Sequence, residues 1–169
     1  MPQTLLAIAA MMVATLFAFQ QQRNVMETRM QMVRSEVVTN ATGVAVDRLE
    51  EIGVMAFDDA TKGEDKISAS ASLTSMLTFT DDAPPVDDVD DFDGSIVERF
   101  RVYGADTLWY GVETRVRYAS EAQPDAEIVD PSQRTKMKKA TVTIYSLNIP
   151  NIDTIRISQS YTCGSKCDW

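Results

Sequence analysis

From Leu5 to Phe19 the chain reads LLAIAAMMVATLFAF, fifteen residues without a charge, a proline or a glycine. Counting Met1 to Thr4, the uncharged stretch ahead of Gln20 is nineteen residues long, and the first charge is Arg23. Nineteen residues of α-helix span roughly 28 Å, close to the thickness of a hydrocarbon core. The run is apolar on every side, so no single face is set aside for a soluble core. Met1, Leu5, Leu6, Ile8, Met12, Val13, Leu16, Phe17 and Phe19 are therefore candidate assembly residues. Three readings compete. A secretory signal would carry a basic segment ahead of the apolar run, and no Lys or Arg precedes Arg23. A conventional membrane anchor would show a positive flank, and the leading flank has none. A helix exposed at the mature N-terminus by removal of a short basic leader explains the uncharged start directly, and is the expectation adopted.

The pattern changes after Gln20 without a break. Between Gln20 and Ile52 there is no proline, and the only glycine is Gly43. Met26, Met30, Val33, Val37, Ala41, Val44, Ala45, Leu49 and Ile52 recur at steps of mostly three and four, one stripe of an amphipathic helix. Arg23, Glu27, Arg29, Arg34, Glu36, Asp47 and Arg48 fall mostly off it. One helix is expected from Pro2 to Gly53, its apolar part covering residues 1–22, with Pro2 tolerated in the first turn. Such a helix is roughly 75 Å long, more than a head of about a hundred residues can bury. Its first half must find partners in lipid or in other copies of itself. Gly43 weakens the helix locally and is read as a small residue where helix and head meet. Asn40-Ala41-Thr42 matches a glycosylation sequon inside this helical pattern.

Residues 54–169 read as a β-rich head. Asp58 to Asp93 is a polar connection in which Leu73, Met76 and Leu77 could form a short helix or strand. The period then switches to two in Ile96–Val102, Leu108–Tyr118, Lys139–Leu147 and Thr154–Thr162, with an exposed loop over Gln123–Arg134. Four half-buried strands imply an antiparallel sheet with one face on the helix and one toward solvent. The fold class is thus α+β. Trp109 and Tyr110 are read as core or sheet-face packing, and Trp169 as a cover for the sheet edge or a contact with another subunit.

The loop over residues 81–94 puts seven aspartates within thirteen residues, Asp81 to Asp93. Calcium takes six to eight oxygens and tolerates irregular loops, so Asp87, Asp88, Asp90, Asp91 and Asp93 form a candidate calcium set. The spacing is not that of an EF-hand, and the alternative is a solvated acidic loop kept extended by self-repulsion. Cys163 and Cys167 cannot complete a zinc site alone. A disulfide closing the loop 163–167, implying an oxidising compartment, stands against two free thiols on a tail.

The chain has no histidine and a net charge of −9. Without histidine the commonest general base and the Ser-His and Cys-His nucleophile pairs are absent, so an enzyme is not expected. Lys136, Lys138 and Lys139 are too few for a phosphate-binding surface, so no nucleic-acid partner is expected.

An apolar N-terminal helix running into an amphipathic half, then a four-stranded antiparallel sheet and a C-terminal cysteine pair, resembles type IV pilins and pseudopilins over the whole chain. Asp87-Asp88-Val89-Asp90-Asp91-Phe92-Asp93-Gly94 and Lys138-Lys139-Ala140-Thr141-Val142-Thr143-Ile144 are similar to segments of minor pilins of the mannose-sensitive haemagglutinin type. The resemblance implies a structural subunit of an extracellular pilus-like filament at the cell surface. It also implies leader removal, N-methylation of Met1, residence in the inner membrane before assembly, a helical polymer of this chain, and a head exposed for adhesion. Most such pilins carry glutamate at mature position five, where this chain has Leu5, and many carry a helix-breaking proline that this helix lacks. Any local melting of the helix is expected near Ala14–Gln22 or at Gly43. The alternatives are a membrane-anchored extracytoplasmic binding module and a pseudopilin of a type II secretion system.

Overall fold

The computed structural model of the chain describes residues 2–79, 86–103, 106–147 and 154–169. Met1, the side chains of Pro2, Thr4 and Leu5, and residues 81–85 of the acidic loop lie outside that set. The chain divides into two units, Met1–Thr39 and Asn40–Trp169.

Helix α1 runs over Pro2–Gly53. The first unit is helical throughout its described part, Ala14–Gln22 included. Among the described residues no helix is long and apolar enough to cross a membrane. The uncharged run of the sequence extends beyond those residues, since it includes Met1 and Leu5.

In the second unit, the end of α1 packs on a four-stranded antiparallel sheet. The strands are β1 (Ile96–Tyr103), β2 (Asp106–Tyr118), β3 (Met137–Ser146) and β4 (Ile155–Thr162), in the order β1-β2-β3-β4. Each strand pairs with its chain neighbour, as short-range connections favour. The architecture is α+β and pilin-like. All four strands expected from the period-two alternation are present, with ends shifted by one or two residues.

The alternation sets the register. Tyr110, Val112, Thr114, Val116 and Tyr118 of β2 face the core together with Ala140, Val142 and Ile144 of β3, and all are buried. Ala41, Val44, Ala45, Leu49 and Ile52 of α1 supply the opposing layer at helical spacing. Burying the Val, Leu and Ile side chains among these contributes roughly 1.5–3 kcal/mol each against chain entropy.

Polar contacts fix the helix on the sheet. Arg48, which the stripe left off the core face, is buried. It donates to Glu51 Oε2 at 2.9 Å, Ser95 Oγ at 3.0 Å and Thr114 Oγ1 at 3.3 Å, with its guanidinium 4.6 Å from the Phe92 ring centroid. Tyr161 on β4 donates to the Leu49 carbonyl, and its ring lies against Gly53, where an added Cβ would stand 3.1 Å away. At Gly43 an added Cβ would meet nothing within 4 Å, so no neighbouring atom requires glycine there.

The connection before β1 is less solvated than its composition suggests. Among its described residues it forms three single turns of 3-10 helix, Asp59–Thr61, Ser70–Ser72 and Asp90–Phe92, and buries Phe57, Ile67, Leu73, Phe79, Val89 and Phe92. These apolar residues are spaced irregularly, which is why neither periodicity revealed them. Met76 and Leu77 lie in turns, outside any helix or strand.

Candidate functional site

The first unit presents apolar side chains to solvent. Leu6, Ile8, Met11, Met12, Val13, Leu16, Phe17 and Phe19 are between 53% and 72% exposed. At 3.6 residues per turn they cover about two thirds of the helix circumference, and Ala7, Ala10, Ala14 and Ala18 fill the remainder. A smooth alanine strip flanked by large side chains lets a second helix approach closely. Val25, Met26, Met30, Met32 and Val33 extend the exposed apolar surface along the helix. Of the candidate assembly residues, Met1 and the Leu5 side chain lie outside the described residues.

The head carries a second surface. On the sheet face away from α1, Ile96, Phe100 and Val102 of β1 adjoin Trp109 of β2 and Tyr145 of β3, all at least partly exposed. Phe100 and Trp109 have ring centroids 5.3 Å apart, and the Tyr145 ring lies directly over Gly111. A Cβ at Gly111 would come within 2.3 Å of that ring, so only glycine accepts it there unmoved. Trp109 is thus sheet-face packing at the surface, whereas Tyr110 is in the core. Further along the same face, Glu113, Arg115, Lys139, Thr141, Thr143, Arg156 and Ser158 make it polar.

The acidic segment is organised around separate partners. Asp87 pairs with Lys62. Asp91 Oδ2 accepts the backbone N–H groups of Asp87 at 2.9 Å and Asp88 at 3.3 Å, while Asp88 Oδ1 accepts those of Asp90 and Asp91. Asp93 accepts the Val116 N–H at 2.8 Å and Arg117 Nη1 at 2.7 Å. Among the described residues no group of three or more acidic, histidine or cysteine side chains is arranged to hold a metal ion. Asp88 and Asp90 are buried, in place of the extended solvated loop that self-repulsion would give.

Asp90 belongs to a buried cluster that sequence reasoning did not find. Lys138 Nζ lies 2.6 Å from Asp90 Oδ1, 2.9 Å from Asp58 Oδ2 and 2.7 Å from the Phe57 carbonyl oxygen. All three ionisable side chains are almost wholly inaccessible. The rings of Phe57, Phe79 and Tyr118 surround the amine at 4.7, 5.2 and 5.4 Å. Burial, the Asp58 and Asp90 carboxyls and its hydrogen bond to Asp58 hold the Tyr118 phenol above its ordinary range. Burial, with help from a hydrogen bond to Asp88, pushes Asp90 up to about 8 against the opposing pull of Lys138. The sequence signal, in retrospect, is a lysine at an inward position of β3, two residues before Ala140.

Cys163 and Cys167 are joined in a disulfide, with Cα atoms 5.7 Å apart. Ile67 and Cys167 form a parallel bridge, so the closed loop is tied to the connection before β1. Trp169 lies beside this loop with its ring 5.1 Å from Lys136 Nζ.

No protein-family model, no curated protein and no solved structure matches this chain.

Proposed function

We propose that this chain is the structural, non-catalytic subunit of a pilus-like filament, polymerising through the N-terminal part of α1 and displaying the sheet-bearing head. The observation that carries the reading is the exposed, all-round apolar helix surface of Leu6 to Phe19. An amphipathic surface would be satisfied by one neighbour; a helix apolar on every side calls for several. Removing those eight large side chains from water contributes on the order of 10 kcal/mol per subunit, before the entropy of association is subtracted. The partner is the same segment of other copies, with the inner membrane holding the helix before assembly. The alanine strip supports that choice, because it suits close helix–helix approach. The pilin-like architecture of the head, the disulfide and the oxidising compartment it implies agree with an extracellular location.

Ala9→Asp tests the reading. An unpaired carboxylate buried in a helix core costs several kcal/mol. Sedimentation of the full-length variant should show loss of polymer, while its near-UV circular dichroism keeps the folded-head signature. Polymers of normal length from Ala9→Asp would refute a helical core. Single copies held in membranes, before and after the substitution, would favour the anchored binding module.

A further inference from the structure

We propose that the head carries an intramolecular isopeptide bond between Lys138 Nζ and Asp90 Cγ, formed after folding with Asp58 as the proton carrier. The inference is independent of whether the chain polymerises.

Amide formation between two side chains needs an amine against a carboxyl carbon, a carboxyl that is protonated, a group to move protons, and little water. The cluster supplies each. Lys138 Nζ is 2.6 Å from a carboxyl oxygen of Asp90, which places it near the roughly 3–3.5 Å separation of a near-attack arrangement to the carbon. Two carboxyls and one ammonium buried together would carry one excess negative charge, so one carboxyl keeps its proton.

The hydrogen bonds decide which one. Asp58 Oδ1 accepts from the Ala60 N–H and from Thr74 Oγ1, both at 3.2 Å, and Asp58 Oδ2 accepts from the Thr74 N–H at 2.9 Å, while the single O–H of Tyr118 is donated to the Thr74 carbonyl at 2.8 Å. Three donors besides Lys138 favour Asp58 as the anion. Asp90, whose side chain faces Lys138 and the Asp88 carboxyl, is the acid held neutral by burial. Phe57, Phe79 and Tyr118 close the site to solvent, so the amide is not returned to hydrolysis.

The chemistry balances without an oxidant or a co-reactant. Asp58 takes a proton from the Lys138 ammonium, and the amine adds to Asp90 Cγ. As the tetrahedral carbon collapses, the C–O bond breaks and the Asp90 hydroxyl leaves as water with the proton returned by Asp58. The second proton lost from nitrogen passes to Asp58, which ends as a neutral carboxylic acid. Asp90 and Lys138 are 48 residues apart, so the bond ties β3 covalently to the turn before β1.

Mass spectrometry of the intact, folded full-length chain tests this. After thiol reduction the mass should fall about 18 Da below that of the otherwise identical linear chain. Trypsin should release a branched peptide joining Met137–Lys139 to Ile67–Arg99, without cleavage after Lys138. Lys138→Met and Asp90→Ala should each have the full linear mass. Asp58→Ala, which leaves both reacting groups, should cross-link at least tenfold more slowly. A wild-type chain of full linear mass, cleaved after Lys138, overturns the proposal. A branch to Leu49–Lys62 instead would overturn the assignment of Asp90 as the acylating group.

Discussion

Replacing Arg48 by alanine should destabilise the head by about 3 kcal/mol. The magnitude follows from what the side chain touches. Thr114, on the central strand β2, is fully buried, and its hydroxyl loses the Arg48 Nε donor 3.3 Å away. An orphaned buried hydroxyl costs ~1–3 kcal/mol. Loss of the Phe92 stacking adds ~0.5–1 kcal/mol. Truncating the buried aliphatic stem adds about 1 kcal/mol more. The bridge to Glu51 adds little, because that carboxylate is 40% exposed and screened by solvent. These contributions share one side chain and are not strictly additive. For a unit of this size the sum corresponds to a fall in melting temperature of roughly 10 °C. Thermal unfolding of the full-length chain in mild detergent, followed in the near-UV, reads it. Arg48→Lys keeps the charge but lacks the fork that reaches Ser95, Thr114 and Glu51 together, so it should recover less than half of the loss. A melting temperature within about 2 °C of wild type for Arg48→Ala would refute the view that this guanidinium fixes the helix on the sheet.

Further predictions follow from single residues. Gly43→Ala should stabilise the chain by ~0.5–1 kcal/mol, since α1 is helical there and the added methyl meets nothing within 4 Å; a destabilised variant would show that Gly43 is needed for contact with another molecule. Burial raises the Glu51 pKa, but the hydrogen bonds and charges of Arg48 and Arg99 outweigh it and leave the group below its ordinary value of 4.5. Its stabilising share is therefore present above pH 4.5 and lost as pH falls through the lower folded value. Glu51→Gln should flatten the acid side of the stability curve in chemical denaturation from pH 6 down to about 3, and an unchanged acid slope would contradict the pairing.

Much of this fold was legible because two periodicities dominate the chain. Steps of three and four from Val37 to Ile52 marked the helix face, and alternation from Val112 to Tyr118 and Ala140 to Ile144 marked the inward sheet residues. The connection over residues 54–95 was not legible, because Phe57, Leu73, Phe79 and Val89 are buried by tertiary contacts without a period. The same gap hid the chemistry of the head. Asp90 and Lys138 look like ordinary surface charges when taken singly, and only the fold places one against the other. The acidic run suggested a metal site by composition; composition did not show that Asp91 and Asp93 accept backbone N–H groups and that Asp93 pairs with Arg117. The apolar helix surface could be read without the structure, because a run apolar on every side needs no knowledge of the head.

The most direct test of filament assembly is helical reconstruction by cryo electron microscopy of fibres sheared from the source cells, with the chain identified by mass spectrometry. The expected result is fibres whose core consists of the Leu6–Phe19 segments of neighbouring copies packed on one another. Membrane-embedded single copies with no fibre, or fibres with Leu6–Phe19 exposed to solvent, would contradict it.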